Sequence, residues 1–257
     1  MSWNEFIYFA IGSLVLWTLG TVAIYRFKRS LYGELLIVGG LVLFSLFIAL
    51  LWNYVNHPPL RTMGETRLWY SLFLVFVGYV TYKRWHYKWL MAYSVLVSAV
   101  FIFVNLLKPE IHGTNLMPAL QSLWFVPHVT VYILSYAMMG AATIASIITL
   151  SSGSRREKEL LPLIDNLVYI GFGFLVLGML MGAVWAKEAW GDYWTWDPKE
   201  VWAFITASAY LVYMHAHYAK ISRRDALWIL PIAFVLLMIT WLGVNYLPAA
   251  QGSIHTY

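Results

Sequence analysis

A chain of 257 residues that is 61% hydrophobic, 18% aromatic and only 11% charged is not an ordinary soluble domain, which carries about twice that share of charge. The net charge of +5 is spread over short loops without a dense basic module, which argues against nucleic acid as a partner. There is no cysteine, so thiol–disulfide exchange and thiolate-ligated metals are excluded.

Taken in chain order, eight apolar stretches read as membrane-crossing helices. They are 5–26, 34–56, 67–83, 88–107, 127–150, 165–186, 199–219 and 226–246. The third is the shortest. No water is available in the hydrocarbon core to satisfy backbone groups, so each must be helical. The expected fold is therefore all-α: a polytopic integral membrane protein forming a single membrane domain over 1–257. The first stretch has no Lys or Arg ahead of it and no small-residue cleavage site behind it, so it reads as an anchor. SSGSRREKE at 151–159 reads as a polar inner loop.

Lys and Arg set the expected orientation. Arg26, Lys28, Arg29; Lys83, Arg84, Lys88; Arg155, Arg156, Lys158; and Lys220, Arg223, Arg224 fall in one set of loops. Only Arg61, Arg67, Lys108, Lys187 and Lys199 fall in the other. By the positive-inside rule both termini lie outside, as do 108–128, 186–200 and the tail 247–257.

Five of the fourteen tryptophans lie in 185–202: Trp185, Trp190, Trp194, Trp196 and Trp202. An aromatic belt at the membrane interface explains those at span ends. It explains Trp190, Trp194 and Trp196 less well, because they sit inside the connector WGDYWTWDPKE. In a helical connector Trp190, Tyr193, Trp194 and Asp197 share a face; in an extended one Trp194 and Trp196 do. Either arrangement offers a surface for a large planar apolar ligand or a partner protein. Asp197-Pro198-Lys199-Glu200 also reads as a capping box that starts the seventh helix.

Topology sorts the seven histidines. His86 and His112 read as solvated loop residues, and His57 is a spare outer candidate. Leu116, Leu120, Leu123 and Trp124 have the spacing of a short helix on the membrane surface. That segment would pin His128 at the outer interface. His255, in the outer tail, can fold back over the same surface. The two are either unrelated interfacial histidines or the axial ligands of a haem. His215 lies about 16 residues into its helix, roughly 24 Å along it, in the inner leaflet. It reads either as a functional group or as a neutral histidine bonded to a neighbouring helix. His217 is nearer the inner surface.

Trp190-Gly191-x-Tyr193-Trp194-x-Trp196-Asp197-Pro198-Lys199-Glu200-x-Trp202 resembles the WWD signature of the haem-handling membrane proteins of cytochrome c biogenesis. Within them the chain resembles the CcsA/ResC type, a subunit of the system II cytochrome c synthase. Gly182-Ala183-Val184-Trp185-Ala186, Tyr210-Leu211-x-Tyr213-x-His215, Leu120-Gln121-Ser122-x-Trp124-x-x-x-His128 and His255-Thr256-Tyr257 extend the likeness. The resemblance covers most of the chain from 57 onward; the first two spans match only in hydropathy.

The resemblance implies that His128 and His255 ligate haem b, held transiently as a substrate. Trp185, Trp190, Tyr193, Trp194, Trp196 and Asp197 would cradle it, and His215 would hold it within the membrane. It further implies a ResB/CcsB-type membrane subunit, an apocytochrome c client with a Cys-x-x-Cys-His motif, and a thiol reductant acting on the client. The expected site is the bacterial cytoplasmic membrane with its active face periplasmic, or alternatively a thylakoid membrane. Arg61 and Arg67 are either partners for haem propionates or ordinary surface charge, with Glu65 between them. A system I-type delivery protein and a haem transporter without attachment activity are the alternatives. A fixed bis-His electron carrier is disfavoured, because His215 and His217 share one helix and point to different faces.

Overall fold

Each of the eight apolar stretches is helical in the computed structural model, which describes residues 2–27, 31–113, 119, 122–152, 154–216 and 218–248. Among the described residues there is no strand. The helices are α1 Phe6–Arg26, α2 Leu31–Val55, α3 Met63–Trp85, α4 Lys88–Leu107, α5 Phe125–Leu150, α6 Ser154–Trp190, α7 Pro198–His215, α8 Arg223–Leu227 and α9 Ile229–Met238. Six segments are long and apolar enough to cross a membrane: Trp3–Arg26, Leu31–Val55, Lys88–Leu107, Phe125–Leu150, Glu157–Trp190 and Arg223–Tyr246. The chain is a multi-pass membrane protein. The two other expected spans, α3 and α7, are helical but are not among those six.

The chain packs as two compact units, Met1–Leu116 and Met117–Tyr257. In the first, α1 pairs with α2 and α3 with α4. Hydrocarbon gives no hydrophobic drive between helices, so close packing and hydrogen bonds must hold them. α3 and α4 show both. A Cβ on Gly78 would lie 2.1 Å from Ser94 Oγ, so only glycine permits that approach. Ser71 and Ser98 donate reciprocally to each other's carbonyls at 3.4 and 3.0 Å. α3 begins in a capping box: Glu65, 3% exposed, accepts from the Thr62 and Arg61 backbone N–H at 2.9 and 2.6 Å. Glu65 therefore engages Arg61 through its backbone. His57 donates Nδ1–H to the Pro58 carbonyl at 2.9 Å.

His112 departs from its expected place as a solvated loop residue. It is half-buried, and its ring lies flat on Trp3 with centroids 3.6 Å apart and planes 6° apart. Burial pushes its pKa down, which favours the neutral ring in this stacked position. His86 is exposed and ends α3 in the left-handed conformation at φ 59°.

In the second unit α5 and α6 form the most extensive helix pair. α6 was expected over 165–186 but runs for 37 residues, from Ser154 to Trp190. At about 1.5 Å per residue that is roughly 55 Å, well beyond a hydrocarbon core of about 30 Å. Much of the stretch expected as an inner loop is therefore helix. Leu160, Leu163, Ile164, Leu167 and Val168 explain why: all are buried and spaced to line one face. The eighth stretch is not one regular helix. α8 gives way to α9, then to a π turn at Ile239–Gly243 and a 3-10 turn at Val244–Tyr246. Polar clamps tie these helices together. Tyr213 donates to Asp165 at 2.8 Å, Arg223 lies 3.8 Å from the same carboxylate, and Arg224 donates to the last carbonyl of α5, Leu150, at 2.9 Å.

Candidate functional site

The site is built on the facing ends of α5 and α6, within the second unit. His128 stands in the first turn of α5, immediately after Pro127, whose missing N–H costs nothing there. Its Nδ1 lies 2.8 Å from the carbonyl oxygen of Gly178 on α6. A carbonyl only accepts, so Nδ1 carries the proton and Nε2 carries the lone pair. That is the tautomer and the orienting contact of a metal-ligating histidine.

Two glycines allow this placement. A Cβ on Gly182 would lie 2.7 Å from both Cε1 and Nδ1 of His128. A Cβ on Gly178 would lie 2.6 Å from the Tyr132 ring, one turn further along α5. The sequence reading missed Gly178 as part of the site. Its signal was there: Gly178 and Gly182 are spaced by four, the small-xxx-small pattern of close helix pairs.

Trp185 holds the ring from the other side. It is 2% exposed, and its plane lies 29° from that of His128 at a centroid distance of 5.5 Å. Its indole N–H donates to the Ala119 carbonyl at 2.7 Å. Phe125 and Trp190 pack on it at 5.0 and 4.8 Å. Trp185 is thus a buried support for His128 and not part of a displayed surface. The chain ahead of His128 is anchored by Ser122, which donates to Glu188 at 2.5 Å and accepts from Trp124 N–H at 3.1 Å. The surface helix expected over 116–124 lies largely outside the described residues. Leu123 and Trp124 at its end are exposed.

The connector is not helical after Trp190; Gly191 turns it at φ +95°. As expected for the extended case, Trp194 and Trp196 meet, edge to face at 5.8 Å. Trp196 is 64% exposed and Tyr193 is 59% exposed, the latter with Lys187 Nζ 5.5 Å from its ring centroid. Trp196 adopts φ +58°, a left-handed conformation that costs a bulky residue about 1–3 kcal/mol. The next residues fix it. Asp197 accepts from Lys199 N–H at 3.1 Å, and Glu200 accepts from the N–H groups of Asp197 and Thr195 at 3.1 and 2.8 Å. Asp197 is 7% exposed and caps α7. Both carboxylates hold the loop in shape.

His215 is exposed at the far end of α7, and its Nδ1 lies 2.9 Å from the carbonyl of Leu211 in the same helix. The bond is within α7 and not to a neighbouring helix. His217 and His255 lie outside the described residues. The structure therefore brings together His128, Trp185 and Trp190, and separately Trp194 and Trp196.

The family model described as cytochrome C assembly protein matches residues 60–250. A cytochrome c biogenesis protein CcsA of Mesostigma viride is 33% identical, over 89% of this chain and 86% of its own length. Its counterpart in Prochlorococcus marinus is 30% identical over 87% and 83%, and that in Chlamydomonas reinhardtii is 32% identical over 96% and 71%. With its tryptophan-rich connector, its poised histidine and its multi-pass helices all inside the matched region, the chain belongs to the cytochrome c assembly protein family, as a CcsA-type cytochrome c biogenesis protein.

Proposed function

We propose that this protein holds haem on the outer face of the membrane and presents it for covalent attachment to an apocytochrome c. One observation carries the reading: His128 is held by the Gly178 carbonyl in the tautomer that puts the lone pair on Nε2, the tautomer and orienting contact of an iron-ligating imidazole. His255 is its partner ligand. Trp190, Tyr193, Trp194 and Trp196 are the aromatic ground against which the porphyrin packs, and Trp185 and Asp197 hold His128 and the connector in place.

The protein spans the membrane eight times with both termini outside, which puts His128 and the connector on one face. Arg61 and Arg67 lie on the same side. Haem is substrate here and supplies the reactive vinyl groups; the client supplies the thiols. Each thiol adds across a vinyl double bond: a carbon–sulfur bond forms, the thiol hydrogen goes to the other vinyl carbon, and no electron is gained or lost. The client thiols must arrive reduced, so a separate reductant acts on them. The protein's task is to bind and orient. A ResB/CcsB-type subunit completes the complex. The membrane is the bacterial cytoplasmic membrane or a thylakoid.

The reduced absorption spectrum of protein made in haem-sufficient cells with its partner subunit tests the ligand set. Wild type is expected to show a sharp low-spin spectrum. His128→Ala is expected to weaken it or turn it high-spin, with recovery on adding imidazole. An unchanged spectrum in His128→Ala would remove the assignment.

A further inference from the structure

We infer that Tyr132 is a positioning residue for the haem ligand: braced by Tyr136 and by Trp241 of the π turn, it sets the plane of the His128 imidazole and so the direction in which the Nε2 lone pair points. This inference rests on the haem-handling reading above.

The bond to Gly178 leaves one freedom open. A carbonyl oxygen accepts over a broad range of angles, so the 2.8 Å contact fixes the tautomer of His128 more firmly than the plane of its ring. That plane matters for a metal ligand. The lone pair on Nε2 lies in it, so a tilt of the ring re-aims any iron bound there.

Two other rings restrict the plane. Trp185 lies 29° from it at a centroid distance of 5.5 Å. Tyr132, one turn along α5, stands edge-on to it at 4.6 Å and 67°. Tyr132 is itself held from two sides. On α6, a Cβ at Gly178 would lie 2.6 and 2.9 Å from Cδ1 and Cε1 of the phenol ring. The residue whose carbonyl holds Nδ1 thus also gives Tyr132 its bearing surface. On α5, Tyr136 stacks on Tyr132 at 5.5 Å and 24°.

The spacing of four puts His128, Tyr132 and Tyr136 on one face of α5. The chain of rings then leaves the helix. Tyr136 is 5% exposed and meets Trp241 at 5.8 Å and 55°. Trp241 belongs to the π turn Ile239–Gly243, which is tied to α7 by the 2.9 Å bond between Thr240 and Thr206. Single π turns within helices are rare and recur at functional sites. This one supplies the far end of the brace. Aromatic rings suit the task, because each is rigid and has only two side-chain torsions to fix.

The test is the electron paramagnetic resonance spectrum of the oxidised full-length protein, purified with its partner subunit from haem-producing cells. In a low-spin ferric haem with two imidazole ligands, the spread of g values follows the angle between the two ring planes. The component that His128→Ala removes belongs to His128. Tyr132→Phe keeps the ring and is expected to leave that component unchanged. Tyr132→Leu is expected to shift its lowest-field g value by more than the linewidth. Trp241→Leu, which removes the far end of the brace, is expected to shift it in the same direction and by less. It carries the test if Tyr132→Leu does not fold. Ile133→Ala removes a buried aliphatic side chain from the same helix and controls for lost stability. It is expected to lower the thermal unfolding temperature with no shift in g.

Unchanged g values in Tyr132→Leu and Trp241→Leu overturn the inference, and so does an equal shift in Ile133→Ala. A shift in Tyr132→Phe as large as that in Tyr132→Leu also overturns it, because the hydroxyl and not the ring would then act on His128. A wild-type protein free of haem, or a spectrum that His128→Ala leaves unaltered, overturns the haem-handling reading and the inference with it.

Discussion

Gly182→Ala is expected to empty the haem site proposed at His128 while leaving every proposed ligand in the chain. The added methyl would lie 2.7 Å from the Cε1 and Nδ1 atoms of His128, too close for either to stay. α6 cannot back away easily, because Ser135 of α5 donates to the Gly171 carbonyl at 2.7 Å along the same seam. The imidazole must therefore tilt, which breaks its 2.8 Å bond to Gly178 and removes the restraint on its tautomer. Overpacking of this kind costs about 1–3 kcal/mol. The effect on haem should be larger, at least a tenfold loss of low-spin absorbance, because ligand geometry is lost as well as stability. Gly173→Ala is the control: nothing lies within 4 Å of its Cβ position, so it should be neutral or slightly stabilising. Equal haem content in Gly182→Ala and Gly173→Ala would show that the close approach does not position His128.

Trp185→Ala is expected to be the most destabilising substitution at the site. The indole is 2% exposed and touches Phe125, His128 and Trp190 as well as the Ala119 carbonyl. Its removal leaves a large cavity, and such changes cost about 3–5 kcal/mol. Trp185→Phe keeps a ring under His128 and loses the N–H bond, worth about 1 kcal/mol. Thermal unfolding in detergent should therefore rank wild type above Trp185→Phe and Trp185→Phe well above Trp185→Ala. Haem absorbance should follow the same order. If Trp185→Ala unfolded like wild type but lost haem, the indole would be touching haem itself, and its role as a buried support would be wrong.

Hydrophobic runs of membrane length are the strongest signal a single sequence offers, and each of the eight expected stretches is helical, six of them within segments long and apolar enough to cross a membrane. Helix ends were less legible. α6 starts before its expected first residue because Leu160 to Val168 pack on one side, a tertiary effect that charged neighbours such as Glu157 and Lys158 obscure in sequence, and it runs on to Trp190, which packs against Trp185. The π turn at Ile239–Gly243 has no distinctive local signature: Ile239, Trp241 and Leu242 continue the apolar run, and an isolated Thr240 or Gly243 does not mark a wider turn in a membrane helix. Of the site, the capping box at Asp197 to Glu200 was readable because its chemistry is local. The depth of Trp185 was not. Tryptophan at a span end suggests the interface, and contacts from Ala119, Phe125 and His128, remote in sequence, help to bury it. His112 was misjudged for the same reason: its stacking partner Trp3 lies more than a hundred residues away.

The most direct test of the central claim is covalent haem on a client. An exported apocytochrome with one Cys-x-x-Cys-His motif is produced with this protein and its partner subunit, and haem that survives denaturation is quantified against client polypeptide. Attachment is expected with the wild-type chain and is expected to fall at least tenfold with His128→Ala, at equal levels of folded protein. Attachment that is undiminished in His128→Ala, or that proceeds equally without this chain, would contradict the claim that His128 presents haem to the client.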